Sequence, residues 1–162
     1  MSDKTNEAGV QAIQRFKEGL YCAESVLVTL ARRQGVDDPR LTSMATGFCS
    51  GLSQTAGPCG AVTGAVMGLG LALGRSEGGV SVDPAYDATK EFVRRFTQEF
   101  GSTGCADLLG CHLGTPEGQQ TFKENHLHRR CMTYTGRAAE LAAELIGNHA
   151  STDAAVKPGR CA

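Results

Sequence analysis

Cys59 stands between a proline and a glycine in TAGPCGAVTG, residues 55–64. Proline's fixed φ suits the first position of a helix, which predicts this thiol in the first turn, where backbone N–H groups lack intrahelical partners. The partial positive charge there favours the thiolate, the form that attacks electrophiles and binds metals. Cys22, in YCAESVLVTL, also falls in the first turn of an expected helix. Cys105 follows GSTG at the head of a short segment, and Cys131 lies within or just before the last helix. The chain holds 7 cysteines, an odd number. In a reducing compartment that count argues for a metal site, a catalytic thiol or thiol exchange rather than a disulfide scaffold. Zinc knuckles and ferredoxins pair their ligands closely in sequence, whereas a site joining these four elements would be assembled only by folding.

Gly60, Gly64 and Gly68 recur every fourth residue behind Cys59, a ridge without side chains that costs about 1 kcal/mol of helix propensity per glycine. Close packing against a neighbouring helix is the simpler cause at Gly64 and Gly68. A backbone cleared for an inorganic group is the other reading, which makes Gly60 and Gly64 the candidate cofactor-binding positions.

The elements that must position these residues read as helices throughout. Apolar residues repeat with helical rather than alternating spacing, and aromatic content of 6% is too sparse for several strands. The expected fold is all-α, a single-domain bundle of four or five helices with glycine-rich loops, over residues 1–148, followed by a flexible C-terminal tail at 149–162. Val10, Ile13 and Phe16 share a stripe on the first helix. DDPRLTSMATGF has Asp38 and Pro39 as a helix start, whereas GFCSGLSQTAG reads as a loop. PAYDATKEFVRRFTQEFG is strongly amphipathic, carrying Tyr86, Phe92, Val93, Phe96 and Phe100, with the phenylalanines as core anchors. STGCADLLGCHLGTPEG is irregular with one helical turn, and the stretch beginning QQTFKENHLHRR ends in a long alanine-rich helix.

Charge and hydropathy remove several classes of function. With 16 basic and 17 acidic residues the net charge is −1, which leaves no broad positive field for a nucleic acid. The longest apolar run, AVTGAVMGLGLALG, is shorter than the roughly 20 residues of a spanning helix, so no membrane span is expected. MSDKTNEAGV lacks the pattern of an export signal, which predicts a cytoplasmic chain with reduced thiols. GLGLALG has no preceding strand to make it a dinucleotide fingerprint, and no nucleophile elbow supports a hydrolase. His112, His126 and His128 fit no zinc spacing and read as surface residues beside Arg129 and Arg130, cations suited to face an electron-transfer partner. The small-residue helix suggests a homodimer.

Taken together, YCAESVLVTL, GFCSGLSQTAGPCGAVTGAVMGLGLALG, EFGSTGCADLLGCHLGTPEG and CMTYTGRAAELAAELI resemble a redox-active family named for cysteines set around a C-G-A-x-x-G or G-C-A-x-x-G motif. The resemblance covers residues 10 to 147. It implies that the family's four cysteines fall on Cys22, Cys59, Cys105 and Cys131, with Gly60, Ala61 and Gly64 completing the motif. A related four-cysteine helical domain occurs in split-Soret cytochromes c, where a non-haem iron–sulfur centre is implied; this chain has no C-x-x-C-H for haem. The resemblance therefore leads to an iron–sulfur cluster, [2Fe–2S], used for electron transfer with a redox partner protein. Two alternatives stand beside it: thiol–disulfide exchange with Cys59 as a low-pKa thiolate, and a structural zinc site. Cys49, at a position where the family has glycine, and Cys111 could each reach the same pocket and replace a ligand. Cys161, near the C-terminus, reads as a loose thiol.

Overall fold

The helical spacing of the sequence builds eight right-handed helices in a computed structural model, which describes residues 3–155. They are α1 (Asp3–Lys17), α2 (Cys22–Arg33), α3 (Arg40–Thr46), α4 (Gly60–Leu73), α5 (Asp83–Phe100), α6 (Cys105–Leu109), α7 (Pro116–Glu124) and α8 (His128–Ala155). No strand occurs among the described residues, as the sparse β-branched and aromatic content predicts. The helices outnumber the four or five expected because α3 and α6 form as separate short helices and the last helical stretch breaks in two. Thr115 starts α7 by accepting the Gly118 N–H at 3.1 Å. The break follows where His126 takes a left-handed φ of 51° and Leu127 turns inward to burial.

α2, α4 and α8 pack against one another in all three pairings; α1 lies across α2 and α8, and α5 across α4 and α8. The glycine ridge makes the α2–α4 contact. A Cβ on Gly64 would lie 2.6 Å from the Ala23 carbonyl oxygen, and one on Gly68 would strike Leu30. Both glycines thus serve helix packing and let two backbones approach where any side chain would wedge them apart. Gly60, one turn earlier, meets the Cys22 sulfur instead. Gly64 therefore departs from the expected cofactor-binding position, because its open face is filled by α2.

α1 also packs through small residues. Ala8 and Ala12 are fully buried, and Gly9 and Gly136 let α1 and α8 close on Glu140 and Ile13. That rotation leaves Val10 62% exposed, against the expected stripe, and Tyr86 on α5 is exposed likewise. α8 reaches Ala155, into the stretch expected as tail, and 156–162, with Cys161, lie outside the described residues. No helix among the described residues is long and apolar enough to cross a membrane.

Two apolar clusters result. The larger is centred on α2, α4, α5 and α8, with Phe92 and Phe96 fully buried. The smaller gathers Cys105, Leu109, Leu113 and Leu127 under α6 and α7. Aromatic rings join them. Phe96 lies 4.8 Å from Phe100, Phe100 lies 5.0 Å from Tyr134, and the Tyr134 hydroxyl donates to the Leu108 carbonyl at 3.0 Å. Phe96→Ala is expected to cost about 3–5 kcal/mol, since it empties a fully buried ring site in the larger cluster. Denaturant unfolding of the metal-free protein measures this as a lowered midpoint at unchanged slope.

Candidate metal centre

Between the two clusters lies a cavity of about 290 Å³ whose wall includes Cys22, Cys59, Cys105 and Cys131. Each thiol arrives on a helix start. Cys22 is the first residue of α2, Cys59 the N-cap of α4, Cys105 the first residue of α6, and Cys131 sits in the first turn of α8. Cys59 lies one step earlier than the sequence predicts. Pro58 pairs with Gly104 in an isolated antiparallel bridge rather than opening the helix. Through that bridge the Cys59 N–H donates to the Thr103 carbonyl at 2.7 Å and the Cys105 N–H to the Gly57 carbonyl at 3.0 Å. The backbones of two cysteines distant in sequence are thereby fixed to each other.

Within the segment read from sequence as a loop, 47–57, residues 50–54 form a left-handed helical turn. Ser50, Gly51, Leu52, Ser53 and Gln54 all have φ between 53° and 69°. Four of the five are not glycine, and each costs about 1–2 kcal/mol in this conformation. Compensation comes from hydrogen bonds: the N–H groups of Thr55 and Gly57 both reach the Gly51 carbonyl, and the Ser53 hydroxyl reaches the Gly47 carbonyl at 3.0 Å. The turn brings Gly51 against Cys105, where a Cβ would lie 2.6 Å from the cysteine's own Cβ. It also aims the Ser50 N–H at the Cys22 sulfur. Strain of this kind gathers at functional sites.

The thiols differ in their electrostatics. Cys22 is pulled down to about 7, first because the Cys49 S–H donates to its sulfur, with burial opposing and the N–H groups of Ser50 and Ala23 assisting. The one Cys49 proton has two acceptors, the Ala45 carbonyl at 3.7 Å and the Cys22 sulfur. Ionisation of Cys22 draws it to the latter, which in turn pushes the Cys49 thiol strongly up. Burial, then the charge of Cys22, pushes Cys59 up to about 12 and Cys105 up to about 11. Cys131 is raised further by burial and by the charges of the other thiols. The expectation of a low-pKa thiolate at Cys59 is therefore corrected. Its N-cap position does turn the Ala61 and Val62 N–H groups toward the sulfur, but desolvation and the nearby Cys22 thiolate outweigh them.

These shifts have a measurable consequence in the metal-free protein. Alkylation by iodoacetamide is expected first at Cys22, rising through pH 7, and Cys49→Ala should move that midpoint up toward the ordinary value of 9.0. Cys59 and Cys105 act on stability with the opposite sign. Their folded values lie above 9.0, so the unfolded chain releases protons first and stability falls as pH climbs from about 9. Peptide mapping of alkylated sites and melting curves across pH check both.

Neither Cys49 nor Cys111 borders the cavity. Cys49 is buried behind Cys22, and Cys111 packs at the edge of the smaller cluster. Gly60 borders it. Of the histidines only His128 reaches the wall, while the His112 Nδ1 accepts the Gly114 N–H at 3.0 Å. The rest of the wall includes Phe122, Tyr134, Leu108 and Leu113, with exposed Tyr21 and Gln54 at its mouth. The sequence reading missed these residues. Tyr134 alone carried a signal, standing three places after Cys131 on one helix face. Among the described residues no three Cys, His, Asp or Glu side chains lie close enough to share a single ion; the four thiols instead stand around a space.

No curated protein and no solved structure matches the chain. Residues 20–145, which carry all four cavity cysteines and the Cys59–Gly64 motif, match the family described as "Putative redox-active protein (C_GCAxxG_C_C)", and the chain belongs to that family.

Proposed function

We propose that Cys22, Cys59, Cys105 and Cys131 ligate an iron–sulfur cluster, [2Fe–2S], and that the protein passes electrons through it to a partner. One observation carries the reading: four thiols from four elements face one cavity, and three of them are held protonated by burial and mutual charge. Four thiolates cannot coexist there without compensating positive charge, which iron ions provide. The donor set is all sulfur, as such clusters require. Gly60 leaves the Cys22 sulfur room beside α4, and the apolar wall limits water.

When bound, the cluster supplies a reversible one-electron couple. The chain's own groups set its surroundings. The Cys49 S–H and Ser50 N–H donate toward the Cys22 sulfur, and the Ala61 and Val62 N–H groups face Cys59. Donors to ligand sulfur withdraw negative charge and raise the potential. Tyr134, tied to Leu108, holds the wall between the two apolar clusters.

The test is an anaerobic absorption spectrum with iron, zinc and acid-labile sulfide analysis. Visible charge-transfer bands with stoichiometric iron and sulfide are expected. Zinc alone would make the site structural, and a chain that stays metal-free after reconstitution would overturn the cluster. In that last case the Cys22–Cys49 contact favours thiol–disulfide exchange, with Cys22 rather than Cys59 as the attacking thiolate. The Cys22 thiolate would displace one thiol from a substrate disulfide, and Cys49 would displace the second, leaving a Cys22–Cys49 disulfide and two substrate thiols.

A further inference from the structure

The four thiols are unequally covered. Cys22, Cys59 and Cys105 are buried, whereas Cys131 is half-buried, and the residues just before it, His128, Arg129 and Arg130, are exposed. Electron transfer weakens steeply with distance, so a centre held by these thiols exchanges electrons most readily through the side that Cys131 occupies.

The surface on that side is basic and uncompensated. Lys123, Arg129 and Arg130 are exposed and enter no ion pair among the described residues. Glu124 is the single acid between 121 and 134, and its carboxylate accepts from Gln120. Most arginines elsewhere are paired, as Arg32 is with Asp37, Arg94 with Glu91, Arg95 with Glu144, and Arg137 with Glu99. A chain of net charge −1 thus presents an unneutralised positive rim beside the least covered of the four cavity thiols. Charges this close act together, since screening takes about 8 Å at physiological ionic strength.

Resting on the cluster reading above, we propose that this rim docks the acidic face of an electron-carrier protein over Cys131. The rim steers an anionic partner to the side of the centre where a cavity thiol is least covered.

The reduced, reconstituted protein is oxidised in a stopped-flow instrument by hexacyanoferrate(III), an anion, and separately by hexaammineruthenium(III), a cation. In each case one electron leaves the centre and reduces the reagent's metal from the +3 to the +2 state. Raising ionic strength from about 10 to about 200 mM is expected to slow the anion reaction about fivefold and to speed the cation reaction. The net charge alone predicts the reverse signs, and that result would overturn the rim. Arg129→Glu with Arg130→Glu should invert both dependences. Arg75→Glu, beyond the far end of α4 and about 20 Å along its axis from Cys59, should leave the sign of both dependences unchanged. Slopes indifferent to the double variant would also overturn it. Should no iron and sulfide bind, the cluster reading fails on its own. The rim is then tested on the metal-free chain by titration with poly-L-glutamate, followed through backbone amide shifts. Shifts concentrated at 121–131 support it, and scattered or absent shifts refute it.

Discussion

Serine in place of any one of Cys22, Cys59, Cys105 or Cys131 is expected to lower bound iron and acid-labile sulfide at least about tenfold, a loss of about 1.4 kcal/mol or more of binding. A serine hydroxyl does not ionise at neutral pH and offers a harder, shorter donor than the thiolate it replaces. Each of the four borders the cavity, so among the described residues the wall holds no spare thiol for the gap. Cys49→Ser and Cys111→Ser are expected to keep near-full content, because neither residue reaches the wall. Iron and sulfide per chain, measured beside far-ultraviolet circular dichroism to establish folding, decide this. Full content in Cys22→Ser, or its loss in Cys111→Ser, would show that the ligand set is different.

A second large effect separates two glycines of one ridge. Gly60→Ala would place a methyl group on the Cys22 sulfur, the free end of a short side chain, and at the looser distances of 3.1 and 3.2 Å from the Phe48 carbonyl oxygen and the Ala23 backbone nitrogen. The sulfur can rotate away, so the helix pair should stay folded while the thiol leaves the cavity and iron content collapses. Gly64→Ala would set its methyl 2.6 Å from the Ala23 carbonyl oxygen and 3.0 Å from the Ala23 Cα. Backbone cannot step aside, and α2 and α4 must separate, at a cost of about 1–3 kcal/mol for overpacking. The expected pattern is therefore a lost site with a slightly lowered unfolding midpoint for Gly60→Ala, and a more strongly lowered midpoint for Gly64→Ala. Equal loss of stability in both would mean that Gly60 also serves packing alone.

What the sequence reveals, and where it stops, follows from range. Helical class and the core role of Phe92 and Phe96 are written in local spacing, the four cysteines are singled out by the resemblance to a family motif, and the structure gathers those cysteines on one wall. The left-handed turn is not legible, because only Gly51 in it has any local preference for positive φ; the packing of Gly51 against Cys105 exists only after folding. Val10 misleads because the small residues Ala8, Gly9 and Ala12 win the contact with α8, a choice made by close approach rather than hydrophobicity. The acidity of Cys59 misleads for a related reason. A helix start is visible in sequence, but the desolvation and the neighbouring thiolate that outweigh it exist only after folding.

The bridge between Pro58 and Gly104 bears on how the centre is loaded. In a zinc finger the ion itself gathers distant ligands, and the entropy of closing the loops is charged against metal affinity. Here two backbone hydrogen bonds close the loop between Cys59 and Cys105 as the chain folds. On the cluster reading proposed above, Cys59 and Cys105 would meet incoming iron already paired, and uptake would begin from a folded chain rather than serving to fold it.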